Sequence, residues 1–469
     1  MNDELWRWGA AQLTDAIRRG RISCREAVSA SLKRLDEVNS AVNAVTVVLA
    51  EEALAAAEEA DRKVNRGEAT GPLHGVPVLI KENVDQAGAA TTNGVVAFRD
   101  LIADTDSPPV ANWKRAGAII IGRSNTPAFS LRWHTDNELR GPTLNPWDRT
   151  RTPGGSSGGA AAAVALGITP LAHGNDYGGS IRYPAYCCGL AGIRPTLGRV
   201  PSYNGTAPEE PPISLQIFAV QGPLARRVRD VRLGLAAMAA RDMRDPWWVP
   251  ASLSGPEPAR PMRVALTVDP AGLGVDPAVA DAIRCAGAAL ERAGYAVEEI
   301  EPPDVDAAAE LMWRIAMTEI RHATEPVIRK HGDPGMNRAL DVYLAATPEV
   351  DLAGYMRDLA QRRKHLRDWL QFLERYPLVV GPVSSEPPLP VGFDTDAAAD
   401  GERLRRIQRL LITVNLLCLP AAAVPTGLSN GIPLGVQIIA SRYREDLCLD
   451  AAETIEAQCG LDTPIDLQW

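Results

Sequence analysis

The chain has 469 residues, enough for three average domains of ~150 residues or for one large α/β unit. Hydrophobic residues make up 46% and charged residues 23%, which excludes the collagen-like, disordered and coiled-coil classes. The formal net charge of −9 disfavours nucleic acid and anionic membranes as binding partners, and it favours a small molecule.

Neither a membrane span nor a secretion signal is predicted. The longest apolar stretches, 160–172 and 410–425, are shorter than the ~18 residues that a spanning helix needs, and Gly, Pro or Asn interrupt them. The amino terminus, MNDELWRWGA, lacks a basic start and an apolar run, and the seven cysteines show no disulfide-framework spacing. We therefore expect a reduced, cytoplasmic protein.

The first part of the chain predicts helices followed by buried strands. Residues 13–66 are rich in Ala, Leu, Glu, Lys and Arg, which favours helices. The segments 71–84 (GPLHGVPVLIKENV) and 118–122 (AIIIG) are short apolar runs bounded by Gly or Pro, typical of strands covered on both faces. Lys81 ends the apolar run of the first segment, and residues 110–117 between them look helical.

The second half also alternates between strand and helix patterns, after a Pro-, Asp- and Trp-rich connection over 240–261. This alternation indicates one α/β domain. The predicted strands are 263–268, 296–300, 378–380 and 435–440, and the predicted helices are 277–293, several within 304–375, and 445–459.

A glycine-rich segment places two serines at the start of a predicted helix. Residues 152–166 read TPGGSSGGAAAAVAL, with Ser156 and Ser157 between glycine pairs. Both serines match the G-x-S-x-G spacing of a nucleophile elbow, although glycine richness makes such matches common. Helix capping or flexible linkage is the alternative interpretation of this segment.

A second glycine pair precedes another serine about twenty residues later. Residues 173–184 read HGNDYGGSIRYP, and Gly178 and Gly179 come directly before Ser180. Consecutive N–H groups at such a turn can point toward one place and stabilise an oxyanion. A simple turn would also explain the tripeptide, but a buried lysine and two serine–glycine segments together provide the parts of a serine hydrolase.

The segments KENVD, TPGGSSGGAAAAVA and NDYGGSIRYPAYCCGLAGIRPT resemble the amidase signature family of serine hydrolases. Further similarity, in WHTDN, GPTLNPWD and LPAAAVPTGLSNGIPLGVQIIASRYRED among others, leaves mainly 240–370 uncovered. The resemblance implies amide hydrolysis by an α/β amidase signature fold, a single large domain with a central mixed β-sheet covered by helices on both faces. Its expected parts are N-terminal helices in 1–66, the signature core in 71–225, a variable helical region in 240–370 and the rest of the core in 375–469.

By position, the resemblance implies that Lys81 is the base, Ser156 a bridging serine in the cis conformation and Ser180 the nucleophile. A serine hydroxyl is a weak nucleophile until a base takes its proton, and lysine can do so only when neutral. Burial lowers the pKa of a lysine, and the apolar run VPVLIK places Lys81 where this shift is expected.

The same resemblance implies an oxyanion hole made of backbone N–H groups, and a charged pair that holds the loop around them. The oxyanion-hole residues are Tyr177, Gly178, Gly179 and Ser180. The supporting residues are Ser157, Asp176 and Arg182. Three positions depart from the pattern: Glu82 where Asp is usual, Asn175 where Thr is common, and Ala128 where Glu is frequent.

A Ser-His-Asp hydrolase that uses Ser156 or Ser157 is the competing mechanism. Its base would be one of three histidines on helical, charged stretches, namely His322, His331 or His365. His134 has either a pocket role or an ordinary hydrogen-bonded place in a loop. No metal site or cofactor is expected, because C-x-x-C and H-E-x-x-H are absent, and the adjacent Cys187 and Cys188 fit core thiols.

The expected partner is a small-molecule amide or carbamate, cleaved by a monomer or homodimer. Because the family includes the amidase component of a tRNA-dependent amidotransferase, a role within such a complex is the alternative. The stretch 205–218, GTAPEEPPISLQIF, either lines an apolar cleft or packs as an ordinary loop. An apolar cleft would favour aryl amides, esters or carbamates as substrates.

Overall fold

The computed structural model describes residues 4–469. Its centre is one eleven-stranded sheet with the strand order β1-β3-β2-β4-β6-β5-β10-β11-β9-β7-β8. The strands are β1 (Val45–Val48), β2 (Pro77–Lys81), β3 (Ile119–Ser124), β4 (Leu171–Asp176), β5 (Ala191–Arg194), β6 (Val220–Ala225), β7 (Arg263–Leu266), β8 (Ala296–Glu299), β9 (Leu378–Pro382), β10 (Ala421–Ser429) and β11 (Ile432–Ala440).

The sheet is mixed, as expected. β2 runs parallel to β3 and β4, and β7 runs parallel to β8 and β9. The pairs β1–β3, β4–β6, β5–β6, β5–β10, β10–β11 and β9–β11 are antiparallel. Since β2 and β4 are parallel neighbours, Lys81 and the polar end of β4 come to the same edge of the sheet.

Helices surround this sheet along the chain. They are α1 (Ala10–Arg18), α2 (Cys24–Val42), α3 (Ala50–Asn65), α4 (Pro108–Arg115), α5 (Gly158–Ala165), α6 (Arg182–Cys188), α7 (Ile213–Phe218), α8 (Val228–Met238), α9 (Pro277–Arg292), α10 (Val305–Glu319), α11 (Glu325–His331), α12 (Pro334–Ala345), α13 (Leu352–Arg375), α14 (Gly401–Ile407), α15 (Arg409–Leu417) and α16 (Glu445–Cys459).

Strand β9 shows that both faces of the sheet are covered. Leu378 and Val380 belong to the main hydrophobic cluster, whereas Val379 packs in a second cluster with Trp369 and Phe372 of α13. Successive strand residues point to opposite faces, so each cluster occupies one face. The structure therefore has the expected architecture of a central sheet between helical layers.

The prediction that 13–66 is entirely helical was wrong for β1. This four-residue strand, VTVV, lies at the edge of the sheet and pairs antiparallel with β3. An edge strand this short contributes too few residues to show a strand period between two long helices.

Both Cys187 and Cys188 are completely buried, which agrees with their assignment as core thiols.

Candidate active site

Lys81 is the last residue of β2, and its side chain is completely buried. Its Nζ lies 2.6 Å from Oγ of Ser156 and 2.7 Å from Oδ1 of Asn175. Burial lowers the pKa of Lys81 well below its ordinary value, and the negative charge of Asp176 opposes this shift only in part. Burial therefore favours the neutral form of the amine, which can accept a proton.

Ser156 lies in the glycine-rich turn before α5, and this turn packs directly against neighbouring backbone. A Cβ at Gly155 would lie 2.4 Å from the carbonyl oxygen of Arg132, so only glycine fits there. The Gly155–Ser156 peptide bond is cis, the conformation expected for this position. The Ser156 hydroxyl contacts Lys81, whereas Oγ of the buried Ser157 has no hydrogen-bond partner within residues 4–469.

Ser180 lies in the loop between β4 and α6 and lines a cavity. Only 7% of the residue is exposed. The structure joins Lys81 to Ser156 by a hydrogen bond, but within the described residues it places no such bond between Ser156 and Ser180. Two of the three predicted catalytic side chains are thus in direct contact, and the third faces the cavity.

The loop that precedes Ser180 presents backbone N–H groups, but one of them is already engaged. The Gly179 N–H donates to Oδ1 of Asp176 over 2.9 Å. Gly179 has a φ of +99°, and a Cβ there would lie 2.1 Å from Cδ2 of Leu411, so the position requires glycine. The N–H groups of the loop that have no partner in the described part of the chain are those of Tyr177, Gly178 and Ser180.

A buried ion pair, Asp176 with Arg182, anchors this loop. Nε and Nη2 of Arg182 each donate to one carboxylate oxygen over 3.0 Å, and Nδ2 of Asn415 donates over 2.8 Å. Burial alone would raise the pKa of Asp176, but the charge and hydrogen bonds of Arg182 hold it well below its ordinary value. Neither residue lines the cavity, so the pair positions the loop from behind.

The cavity beside Ser180 has an aromatic and methionine-rich wall that the sequence did not indicate. The ring of Trp133 stacks on Trp313 at a centroid distance of 5.7 Å, and Trp313 meets Tyr343 edge-on at 5.4 Å. Helices α10 and α12 supply most of this wall, with Met312, Trp313, Met317, Met336, Leu340 and Tyr343. The uncovered region 240–370 therefore contributes a large part of the lining of the cavity that Ser180 also lines.

None of the cavity residues comes from 205–218, the stretch considered as a cleft wall. This stretch reaches the site indirectly, because Oγ of Ser214 is 2.9 Å from the hydroxyl of Tyr177. The charged side chain of the lining, Arg132, is held by Asp394 through two hydrogen bonds of 2.9 Å each. The charge of Arg132 is thus paired, and the other side chains of the lining are uncharged.

The histidines considered for a Ser-His-Asp mechanism do not reach the serines. The hydrogen bonds of Ser156 and Ser157 within residues 4–469 involve neither His322, His331 nor His365. His134 is buried, its Nδ1 is 3.0 Å from Oγ1 of Thr152, and burial lowers its pKa to about 4. As a neutral side chain, His134 is thus within hydrogen-bond distance of Thr152, the first residue of the glycine-rich segment.

The three departures from the family pattern all have defined surroundings. Glu82 accepts hydrogen bonds of 2.6 Å from both Thr46 and Arg140, Asn175 contacts Lys81, and Ala128 is buried.

Across residues 4–469, no three His, Cys, Asp or Glu side chains converge in a way that would hold a metal ion. Within the same residues, no helix is both long and apolar enough to cross a bilayer.

Comparisons with known proteins identify the family of this chain. The sequence model of the Amidase family matches residues 26–449. An indoleacetamide hydrolase of Bradyrhizobium diazoefficiens is 48% identical over 461 residues, which cover 97% of this chain and 87% of that protein. One component of the glutamyl-tRNA(Gln) amidotransferase of Moorella thermoacetica is 33% identical over 485 residues, 97% of each chain.

Solved structures share the fold over nearly the whole chain. A 6-aminohexanoate cyclic dimer hydrolase in complex with its substrate has a TM-score of 0.83 and 27% identity, and the match covers 99% of both chains. A bacterial aryl acylamidase of the amidase signature family has a TM-score of 0.82 and 25% identity, covering 98% of this chain and 96% of that one. The chain therefore belongs to the amidase family, as an amide-hydrolysing enzyme with the amidase signature fold.

Proposed function

We propose that this enzyme hydrolyses a small, uncharged aryl carboxamide, with Ser180 as nucleophile, Ser156 as bridging serine and Lys81 as base. The observation that carries the proposal is the 2.6 Å contact between Lys81 and Ser156 in a completely buried setting. A lysine kept neutral by burial can draw a proton through a neighbouring hydroxyl.

The first half-reaction forms an acyl-enzyme. Lys81 accepts the proton of Ser156, which in turn takes the proton of Ser180 once the substrate has brought the two hydroxyls together. Oγ of Ser180 attacks the amide carbon, and the carbonyl oxygen becomes an oxyanion. The N–H groups of the loop that have no partner in the described residues support stabilisation of this charge, since they can donate without first breaking another hydrogen bond. These N–H groups belong to Tyr177, Gly178 and Ser180.

Collapse of the tetrahedral intermediate breaks the C–N bond. The leaving nitrogen takes a proton from Ser156, which Lys81 reprotonates, so the amine or ammonia departs neutral. Water then attacks the ester on Ser180 and gives up its proton along the same route. The acid leaves, and both serines return to their starting state.

The aromatic cavity supports a substrate with a planar ring. Trp133, Trp313 and Tyr343 surround a space next to Ser180, and stacked or edge-on rings favour an aromatic ligand. A relative with 48% identity is an indoleacetamide hydrolase, so indole-3-acetamide is the first substrate to test. Anilides and aryl carbamates also contain a carbonyl carbon bonded to nitrogen, and they are the next substrates to test. The 33% identity to an amidotransferase component makes a role in such a complex the weaker alternative.

The test is a panel of substrates assayed with the purified protein alone. We expect kcat/KM for indole-3-acetamide or phenylacetamide to exceed that for propionamide by at least ~10-fold, because the ring adds buried apolar contact. An acetanilide and an aryl carbamate place the ring on the other side of the scissile bond. Preference for propionamide would overturn the aryl proposal. Activity only with glutamine, a charged tRNA and partner proteins would instead support the amidotransferase role.

A further inference from the structure

A chain of side-chain hydrogen bonds runs from Lys81 to the wall of the cavity. Asn175 Oδ1 accepts from Lys81 Nζ over 2.7 Å, and Asn175 Nδ2 donates to Oδ1 of Asn83 over 2.9 Å. Nδ2 of Asn83 donates to Oγ of Ser130 over 3.0 Å, and that hydroxyl donates to Oδ1 of Asn93 over 2.7 Å. Ser130 itself lines the cavity.

The direction of these bonds determines how the Lys81 amine is oriented. Because the amide nitrogen of Asn175 is used by Asn83, its carbonyl oxygen faces Lys81. A neutral amine has two N–H donors and one lone pair. With one N–H directed at Asn175, the lone pair is free to face the hydroxyl of Ser156, 2.6 Å away.

An asparagine orients the amine without placing a negative charge beside it. A carboxylate at the same place would stabilise the ammonium ion, whereas an amide oxygen accepts the N–H and carries no net charge. Asp176 is already engaged by Arg182, and Glu82 by Arg140. The charged or titratable groups around Lys81 are Asp176 and His173 on β4, Arg123 on β3 and the adjacent Glu82.

The far end of the hydrogen-bond chain lies at a constrained turn of the cavity wall. Phe129 and Ser130 have φ values of +57° and +55°, which non-glycine residues adopt rarely, and Thr126 holds the Ser130 hydroxyl at 2.8 Å. The wall and the base are therefore connected through defined hydrogen bonds.

We propose that Asn175 is a positioning residue: it aims the Lys81 lone pair at Ser156 and, through Asn83, couples the amine to Ser130 at the cavity. This inference rests on the proposed function, because it assumes that Lys81 is the base. According to this inference, the residue at position 175 influences the pH range in which the enzyme is active.

The test compares the pH dependence of kcat/KM for variants of Asn175, with indole-3-acetamide or whichever panel amide is turned over. Asn175→Asp places a carboxylate beside Lys81, so the acid limb should move to higher pH by about one unit or more. Asn175→Ala should lower kcat by about tenfold with KM nearly unchanged, because only the aim of the base is lost. Asn83→Ala frees the Asn175 amide and should lower kcat in the same way.

A matched control is Asn112→Ala. Asn112 is equally an asparagine with a hydrogen-bonded, buried side chain. Its Nδ2 donates to the carbonyl oxygens of Met238 and Ala240 and its Oδ1 accepts from Arg115, and none of these residues lines the cavity. The Asn112→Ala variant should have a lower thermal stability, but the acid limb of its kcat/KM profile should not shift. The inference would be overturned if the acid limb of Asn175→Asp did not shift. If Asn175→Asp does not fold, an unchanged kcat in Asn83→Ala would overturn it instead. The proposed function fails separately, if Lys81→Ala retains full activity.

Discussion

The indole Nε1 of Trp133 donates a hydrogen bond to the carbonyl oxygen of Gly178 over 2.8 Å. The N–H on the other side of that peptide group, which belongs to Gly179, donates to Asp176 over 2.9 Å. Because a peptide group is planar, the two bonds hold one plane from both edges. The aromatic wall of the cavity and the loop before Ser180 are therefore connected by a hydrogen bond.

Replacing Trp133 by Phe tests this connection, since an aromatic ring of smaller size remains while the N–H donor is lost. The Gly178 peptide should become freer to rotate, so we expect kcat to fall by about tenfold with a smaller change in KM. Steady-state kinetics with an aryl amide give both constants. A change confined to KM would mean that Trp133 contributes ring contact but does not hold the loop.

Ser180→Ala and Lys81→Ala together separate the lysine mechanism from a histidine mechanism. Each should cost at least roughly a hundredfold in kcat, because the first removes the nucleophile and the second the base. Circular dichroism should show an unchanged fold. A histidine triad predicts instead that Lys81→Ala stays active while His365→Ala does not.

The rate should rise with pH through one ionisation, since only neutral Lys81 accepts a proton. Burial lowers the pKa of Lys81, so the midpoint of the rise should lie well below the ordinary 10.5. A pH profile of kcat/KM from acid to alkaline conditions measures it. An acid optimum would contradict a lysine base, and inactivation by EDTA that zinc reverses would point to a metal mechanism.

Asp176→Asn should destabilise the protein strongly, because it leaves Arg182 charged and buried without its counterion. Breaking a buried pair costs about 3–5 kcal/mol in free energy of unfolding. The matched control is Asp15→Asn, which affects solvent-exposed pairs with Arg19 and Arg21 and should cost less than ~1 kcal/mol. Urea unfolding of both variants checks the difference, and equal losses would show that the buried pair does not anchor the loop.

Trp313→Ala should alter substrate preference more than overall activity. Removing one ring of the stacked pair takes away aromatic contact, so kcat/KM should fall at least ~10-fold for an arylacetamide and much less for propionamide. Trp248→Ala is the control, because Trp248 does not line the cavity. Equal losses on both substrates would mean that Trp313 supports the fold and does not select the ring.

The local parts of this site could be predicted from the amino-acid sequence. An apolar run ending in Lys81 indicates a buried strand, and paired glycines around Ser156 and before Ser180 indicate tight turns, because these features depend on near neighbours in the chain. The family resemblance then indicated the fold and amide hydrolysis. β4 was not predicted as a strand, since its sequence LAHGND ends in polar residues that face the site.

The identity of the side chains that line the cavity with Ser180 could not be predicted from the amino-acid sequence. Trp133, Trp313 and Tyr343 are far apart in the chain, and they meet because α10 and α12 pack against the core. A helical period shows that one face is apolar, but it does not show what that face meets. The contact between Lys81 and Asn175 likewise arises because β2 and β4 are parallel neighbours, and strand order depends on the packing of the whole chain.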